Sequence, residues 1–418
     1  MLDIKFIREN LKAVKECAEL KHCTVDIEQA LRLDEERRQL LHDVEKKKNE
    51  RNSANQEITE LRKTGKDISA KIEAMKDLSQ AIKATDARLA DLEAGIREIM
   101  VIIPNAVQAD VPRGLDARTN KVIKEWGEER AFTFEPKDHL EIAEAAGMLD
   151  MKRAGKIAGS GFGLYFGKGA MLERALINFM LDLHIKKHGY TEVLPPFLVN
   201  EQTMFGTGQL PKLKEDMYFL NDDSLYLIPT AEVPVTNIHR GETLNEKDLP
   251  VKYVSYTPCF RREAGSYGKD TRGISRVHQF NKVEMVKFTT PETSNTEHEA
   301  LLRDAEDILQ ALGLRYRVLL LSAGDMSFAA AKCYDLEIWA PGCKRWLEVS
   351  SCSNFEDFQA RRAEIRYKPK DGGKTQFVHT LNASGVALPR TFIGILEQCQ
   401  NEDGSVDIPQ VLLQYCRQ

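Results

Sequence analysis

The chain has 418 residues, 42% of them apolar and 29% charged, and 59 Lys+Arg against 64 Asp+Glu leave a net charge of −5. Such a length predicts two or three domains with room for a sizeable core, and the balance excludes a uniformly basic nucleic-acid binder while permitting a local basic face. No run reaches the ~18 apolar residues of a membrane span. The N-terminal MLDIKFIRENLKAVKE lacks the apolar centre of a signal peptide, so a cytoplasmic protein without a membrane partner is expected.

Of 31 aromatic residues, Phe6 alone precedes Trp126, and 27 stand at Phe162 or later. A compact core normally uses aromatic volume, so the first hundred residues predict something other than a globular domain. They carry a heptad pattern instead. Leu33, Leu40, Val44, Ala54, Ile58 and Leu61 share one 4-3 register, with Arg37, Lys47 and Arg51 at its remaining positions. After Thr64-Gly65-Lys66 a second register runs through Ile68, Met75, Leu78, Ile82, Thr85, Leu89, Leu92, Ile96 and Ile99, with only Lys71 charged. This spacing predicts an antiparallel coiled-coil hairpin with arms of about 30 residues, or about 45 Å. Gly95 is a weak point of the second arm and Pro104 its stop.

Between residues 46 and 66 stand seven cations, Lys46, Lys47, Lys48, Arg51, Arg62, Lys63 and Lys66, against Glu50, Glu57 and Glu60. Either this is an ordinary solvated face, or it is a cationic probe for a phosphate backbone that gains affinity by counterion release. Composition does not choose between the two.

Residues 105–160 read as a less regular connection containing one helical stretch, FEPKDHLEIAEAAGMLD. The glycine-rich run that follows fails the P-loop pattern, because Phe162 stands where glycine is needed and Lys168 is followed by Gly169. Tight turns leading into a helix from about Ala170 account for these glycines. Beyond lie a helix and many short strand-like runs, LYLIPT, VKYVSYTP, KVEMVKF, RYRVLLL, CYDLEIWAP and RWLEVSSC. No regular helices separate them, so the sheet is expected to be largely antiparallel and the domain α+β.

Within these strands stand Glu232, Arg261, Glu263, Glu284, Glu348, Ser350 and Ser351, polar residues that strand formation does not require. Arginines offer paired donors to carboxylate or phosphate, and carboxylates hold Mg²⁺ or an ammonium group. With Phe280 as a flat surface, the set suggests a nucleotide site without a P-loop. Taken singly, a strand Glu–Arg pair is usually structural and a phenylalanine usually core. The eight cysteines include no C-x-x-C pair, and H-E-x-x-H is absent, so free thiols and no zinc are expected.

Five ordered segments then resemble a known family. Residues 256–286, YTPCFRREAGSYGKDTRGISRVHQFNKVEMV, closely resemble motif 2 of the class II aminoacyl-tRNA synthetases in its seryl form, and residues 379–400 resemble motif 3. HGYTEVLPPFLV is similar to the end of motif 1, with Pro196 as its proline; PTAEVPVTN carries the seryl Thr-Ala-Glu signature, and LEVSSCSNFEDFQARR matches a further family segment. The resemblance spans essentially the whole chain, hairpin included. It implies a tRNA-binding hairpin domain over 1–104, a connection over 105–160 and a class II catalytic domain over 161–418, an antiparallel sheet flanked by helices.

The resemblance also implies roles. Arg261 binds the α-phosphate and the amino-acid carboxylate. Glu263 contacts ATP beside Arg262, and Val277, His278, Gln279 and Phe280 line the adenine, Phe280 stacking on it. Glu348 and Ser351 hold Mg²⁺ and phosphate, flanking Val349 and Ser350, and Arg390 clamps the γ-phosphate. The Thr230-Ala231-Glu232 loop receives the serine ammonium, and Glu284, Asn382 and Ser384 read its hydroxyl. Lys269 and Arg272 of the motif 2 loop meet the tRNA acceptor end, and the seven hairpin cations meet the long extra arm of tRNA(Ser), or of tRNA(Sec) where present. Serine, ATP with Mg²⁺, tRNA and a second copy of the chain are the implied partners, and the ordinary bacterial-type branch rather than the zinc-using one. One departure is Ala383, where members often have glycine; its methyl group is expected beside the serine pocket. Two rivals are an enzyme adenylating an amino acid for another acceptor, which has little use for a basic hairpin, and a scaffold or RNA-binding protein, which has no use for Arg261, Glu348 and Arg390 together.

Overall fold

The computed structural model describes residues 1–264 and 272–416. The chain divides into two compact units, residues 2–104 and, with Met1, the residues from 105 onward.

In the first unit two short helices, Ile4–Glu9 and Leu11–Leu20, precede two long ones, Ile27–Lys63 and Ser69–Met100. The long helices rise about 55 and 48 Å at 1.5 Å per residue and pack antiparallel around Gly65, whose φ of +66° suits the reversal. Asp26 caps the first through Gln29 N at 2.8 Å, and Asp67 precedes the second, accepting from Ser69 N. Every seam position of both registers is buried or half-buried, while nearly all positions between them are exposed. The buried cluster is small, Val44, Ile82 and Leu89 with Leu40, Leu41 and Leu78 against it.

Polar pairs do the rest. Arg88 bonds Glu36 at 2.7 Å, Lys48 bonds Asp86 at 2.9 Å, and the seam cation Lys71 pairs with Glu57. Asp34, 1% exposed, accepts from Arg8, Arg37 and Arg38 at 3.1, 2.8 and 3.1 Å, which explains how the seam tolerates Arg37. Gly95 does not interrupt its helix; it faces Leu33, whose Cδ1 lies where a Cβ would touch it.

The second unit is built on an eight-stranded sheet. Its order is Lys121–Trp126, Tyr316–Leu320, Lys332–Ala340, Arg345–Asn354, His379–Ala387, Gln279–Thr289, Val251–Phe260 and Thr191–Glu192, antiparallel throughout except the last pair. Helices Lys168–Lys186, Ser294–Leu312 and Leu388–Gln398 share one apolar core with it. Strand alternation decides which side chains join that core. Val283, Met285, Leu381 and Ala383 point into it, and the residues that alternate with them, Lys282, Glu284, Asn382 and Ser384, point to the opposite face.

Residues 105–160, read from sequence as a connection, fold with this second unit. Lys121–Trp126 is the edge strand of the large sheet, pairing with Tyr316–Leu320. Its alternation is hidden because five of its six residues are exposed, so periodicity alone carried no signal there. The expected helical stretch is present as His139–Ala145, opened by a capping box of Asp138 and Glu141, with a second helix, Met151–Ala158, after it. No helix among the described residues is long and apolar enough to cross a membrane, and the eight cysteines, buried or half-buried, form no disulfide.

Candidate active site

The sheet face opposite that core floors a cleft of about 530 Å³. Strand 279–289 supplies Phe280, Lys282 and Glu284, strand 379–387 supplies Asn382 and Ser384, strand 345–354 supplies Glu348, Val349 and Ser351, and the end of strand 251–260 leads to Arg261 and Glu263. Thr230 enters from the turn before helix Glu232–Thr236, Glu232 from the first residue of that helix, and Arg390 from the first turn of Leu388–Gln398. Segments far apart in sequence therefore converge on one wall.

At one end the polar groups form a closed set. Glu284, 1% exposed, accepts from Asn382 Nδ2 at 3.0 Å through Oε1 and from Ser384 Oγ at 3.2 Å through Oε2. Lys282 Nζ lies 2.6 Å from Glu284 Oε2 and donates to Thr230 Oγ1 at 2.8 Å. Glu232 accepts from Gln359 Nε2 at 2.7 Å, and Gln359 Oε1 in turn accepts from Thr380 Oγ1 at 2.7 Å. Burial, then the neighbouring Glu284, push the Glu232 carboxyl up to about 7. Such a carboxyl gains most from an incoming cation.

Toward the middle, Arg261 donates through Nε to the carbonyl of Pro229 at 3.2 Å and lies over the Phe280 ring, 5.2 Å from its centre. One edge of the guanidinium is thus fixed by the main chain and its plane by the ring. Glu263, at φ +52°, pairs with Arg276 at 3.0 Å. At the far end Arg390 donates to the carbonyls of Glu348 and Ser275 at 2.7 and 3.3 Å, with Glu348 Oε2 at 3.5 Å. Asp335, opposite Ser351 in the sheet, has its carboxyl pushed well up by burial and then by Glu348. Of these groups Glu348 and Ser351 line the cleft, and a carboxylate with a hydroxyl there makes a hard-oxygen pair that suits Mg²⁺.

The structure thus brings together Thr230, Glu232, Arg261, Glu263, Val277, Phe280, Glu284, Glu348, Val349, Ser351, Asn382, Ser384 and Arg390. Four expected ATP residues do not line the cleft. Ser350 is buried and donates to the carbonyl of Ser384 at 2.6 Å. His278 turns its ring to Phe162 and the Gly161 turn, and Gln279 and Arg262 are exposed. Gln279 and Ser350 lie in strands, where alternation turns them from their lining neighbours Phe280 and Ser351, whereas Arg262 and His278 lie outside the strands. Ala231 likewise lies in a buried core cluster rather than on the wall. Ala383 joins the core, so its methyl group points away from the pocket, against expectation.

Arg272 pairs with Asp138 at 2.9 Å, and Lys269 lies outside the described residues. Of the seven hairpin cations, Lys46, Arg62, Lys63 and Lys66 are exposed, Lys47 and Arg51 are half-buried on the seam, and Lys48 is bonded to Asp86. Nothing in the sequence alone singled out Arg276, Asp335 or Gln359. Lys282 did carry a signal, standing two residues before Glu284 and so on the same strand face. One further group, His139, Cys343 and Glu397, has ligand atoms within 4.8 Å of one another. There Glu397 accepts from the main-chain N–H of His139, Gly342 and Cys343, while burial and Glu397 push the Cys343 thiol up to about 12.

Residues 1–107 match the model of the seryl-tRNA synthetase N-terminal domain, and residues 217–399 that of the tRNA synthetase class II core domain (G, H, P, S and T). A serine–tRNA ligase of Syntrophobacter fumaroxidans is 54% identical over 99% of this chain and 98% of its own. The crystal structure of seryl-tRNA synthetase from Pyrococcus horikoshii complexed with ATP superposes with a TM-score of 0.94 at 38% identity, covering 100% of this chain and 98% of that one. The cytoplasmic serine–tRNA ligase of Naegleria fowleri in complex with AMP gives 0.88 at 28%, over 100% and 97%. A helical hairpin unit, a largely antiparallel sheet with a polar cleft on one face and full-length similarity agree, and the chain belongs to the seryl-tRNA synthetase family of class II aminoacyl-tRNA synthetases.

Proposed function

We propose that the cleft activates serine with ATP and passes the seryl group to tRNA, with the residues just described in stated roles. The observation that carries this is the pairing of a buried hydroxyl-reading set, Glu284, Asn382 and Ser384, with an arginine fixed on main chain and ring. Relatives named serine–tRNA ligases at 54% identity over nearly the whole chain support the same reaction.

Serine binds with its ammonium at Glu232 and its hydroxyl at Glu284. Thr230 Oγ1 already accepts from Lys282 and from Glu232 N at 3.2 Å, so its lone pairs are engaged and the ammonium falls to Glu232. A pocket whose polar groups need a hydroxyl rejects alanine, because they would be left unpaired. Arg261 lies between the carboxylate and the α-phosphate, where its charge offsets the repulsion of two anions. The serine carboxylate oxygen attacks the α-phosphorus in line, the bond to the β-phosphate oxygen breaks, and pyrophosphate leaves. The terminal ribose hydroxyl of tRNA then attacks the seryl carbonyl, the bond from that carbonyl carbon to the phosphate oxygen breaks, and AMP leaves with the hydroxyl's proton passing to its phosphate. No covalent enzyme intermediate is required, and positioning with charge stabilisation supplies the acceleration. Glu348 and Ser351 would hold Mg²⁺, which would neutralise phosphate charge when bound; Arg390 clamps the outer phosphate.

The exposed hairpin cations contact the tRNA backbone. A homodimer is supported by the sheet edge at Thr191–Glu192, followed by exposed apolar Leu194 and Leu198, 75% and 40% accessible. Reaction and hairpin are tested together by measuring serine-dependent ATP–pyrophosphate exchange and tRNA charging before and after replacing residues 33–99 with a short linker. Exchange is expected to survive and charging to fall roughly a hundredfold or more as the phosphate contacts are lost. Absent exchange in the intact protein sinks the enzyme reading, and undiminished charging removes the hairpin from it.

A further inference from the structure

We propose that Lys282 determines specificity as a charge filter: it neutralises Glu284, so that the side-chain pocket admits a neutral hydroxyl and refuses a cationic group. The proposal rests on Glu284 reading the substrate's side chain, as above.

Lys282 is 5% exposed and lies on the cleft face of its strand, with Val283 beyond it in the core. A buried ammonium requires partners, and its two are a carboxylate oxygen of Glu284 at 2.6 Å and Thr230 Oγ1 at 2.8 Å. Glu284 Oε2 takes Lys282 and Ser384, whereas Oε1 takes only Asn382. A lone pair on Oε1 therefore remains for an incoming donor. The other ionisable groups around this pair are Glu232, Arg261 and the Cys259 thiol, raised by burial and drawn back by Lys282.

Without Lys282, a buried carboxylate would favour an ammonium over a hydroxyl, since charge-assisted hydrogen bonds are the stronger ones. With Lys282 in place, a second ammonium meets a like charge at close range in a poorly screened site. A hydroxyl donates the same hydrogen bond without that repulsion. The charge of Lys282 therefore converts an anionic hole into one selective for a neutral donor.

The probe is 2,3-diaminopropionate, in which an amino group replaces the serine hydroxyl, at mildly acidic pH where that group is protonated. ATP–pyrophosphate exchange is compared for serine and for this analogue in the unaltered enzyme, K282M and K282R. The ratio of the two kcat/KM values within one preparation does not depend on the fraction folded. K282M is expected to lower the serine preference by about tenfold or more, and K282R to keep it within about threefold. In the unaltered enzyme the preference should widen as pH falls and the analogue takes up its proton; a preference that narrows overturns the proposal without any variant. An unchanged ratio in K282M, or a folded, ATP-binding K282M that activates neither amino acid, also overturns it. E284Q separates the two levels: if serine use and the ratio are unaffected there, Glu284 does not read the side chain and the underlying assignment fails.

Discussion

The two units solve folding in opposite ways. In residues 2–104 the apolar cluster of the hairpin is a handful of aliphatic side chains, and ion pairs and a buried Asp34 between three arginines fix the register. From residue 105 onward a large core of helix and sheet side chains covers one sheet face; on the other, Val286 and Phe288 join a second apolar cluster, while Lys282, Glu284, Asn382 and Ser384 are buried at the cleft. Polar burial in the hairpin serves structure. In the cleft it exceeds what the strands need, and the excess marks the site.

The comparison breaks most sharply at Arg261. Arg261→Ala is expected to cut pyrophosphate exchange about a hundred- to a thousandfold while the melting temperature of the sheet unit stays near that of the parent. Near-normal exchange would remove the arginine from its role.

The next effect is in pH. The Glu232 carboxyl is held at about 7, so below that pH it carries a proton that an arriving ammonium must displace. Apparent serine affinity is expected to weaken as pH falls through this range, by up to about tenfold per unit, and Glu232→Gln should flatten the profile at a higher serine KM. A flat profile in the unaltered enzyme refutes the ammonium contact. The same shift has a sign for stability: with the folded pKa above the ordinary carboxyl value, ionising Glu232 opposes folding, so its burden is absent at low pH and fully present above about 7.

Val44 tests the hairpin from inside. It is 2% exposed at the centre of the small cluster, and Val44→Ala should destabilise that unit by about 1–3 kcal/mol. Hydrogen exchange should quicken along residues 27–100 while serine-dependent pyrophosphate exchange holds steady. Coupled loss of both would mean that the units do not behave independently.

The smallest effect belongs to single exposed cations. Reversing Lys63 or Lys66 should raise the KM for tRNA a few-fold and lower the slope of log affinity against log salt by about 1 each. Lys48, already bonded to Asp86, should matter less. Equal effects for all three would indicate a diffuse field rather than discrete contacts.

Much is legible in the residues alone, and for identifiable reasons. The heptads predict the seam residue by residue, because one period decides which helix face is buried. The strand runs each form a strand or part of one, since β-branched and aromatic clusters bounded by turns say so locally. What escapes such reading lies where local pattern is silent. Lys121–Trp126 joins the sheet as an exposed edge, without alternation to betray it. Ser350 and Ala383 stand beside functional neighbours in the chain yet point away from them.

By itself the sequence determined that there would be a hairpin and an antiparallel sheet, because helical and strand periods are properties of short stretches. Its ordered motifs named the chemistry to expect. Only the tertiary structure decided which of those residues meet. Register between strands far apart in the chain sets whether Glu284, Asn382 and Ser384 face one pocket, and whether a lysine two residues away joins them. That register depends on long-range pairing and on one buried face, and neither is written in any local run of residues.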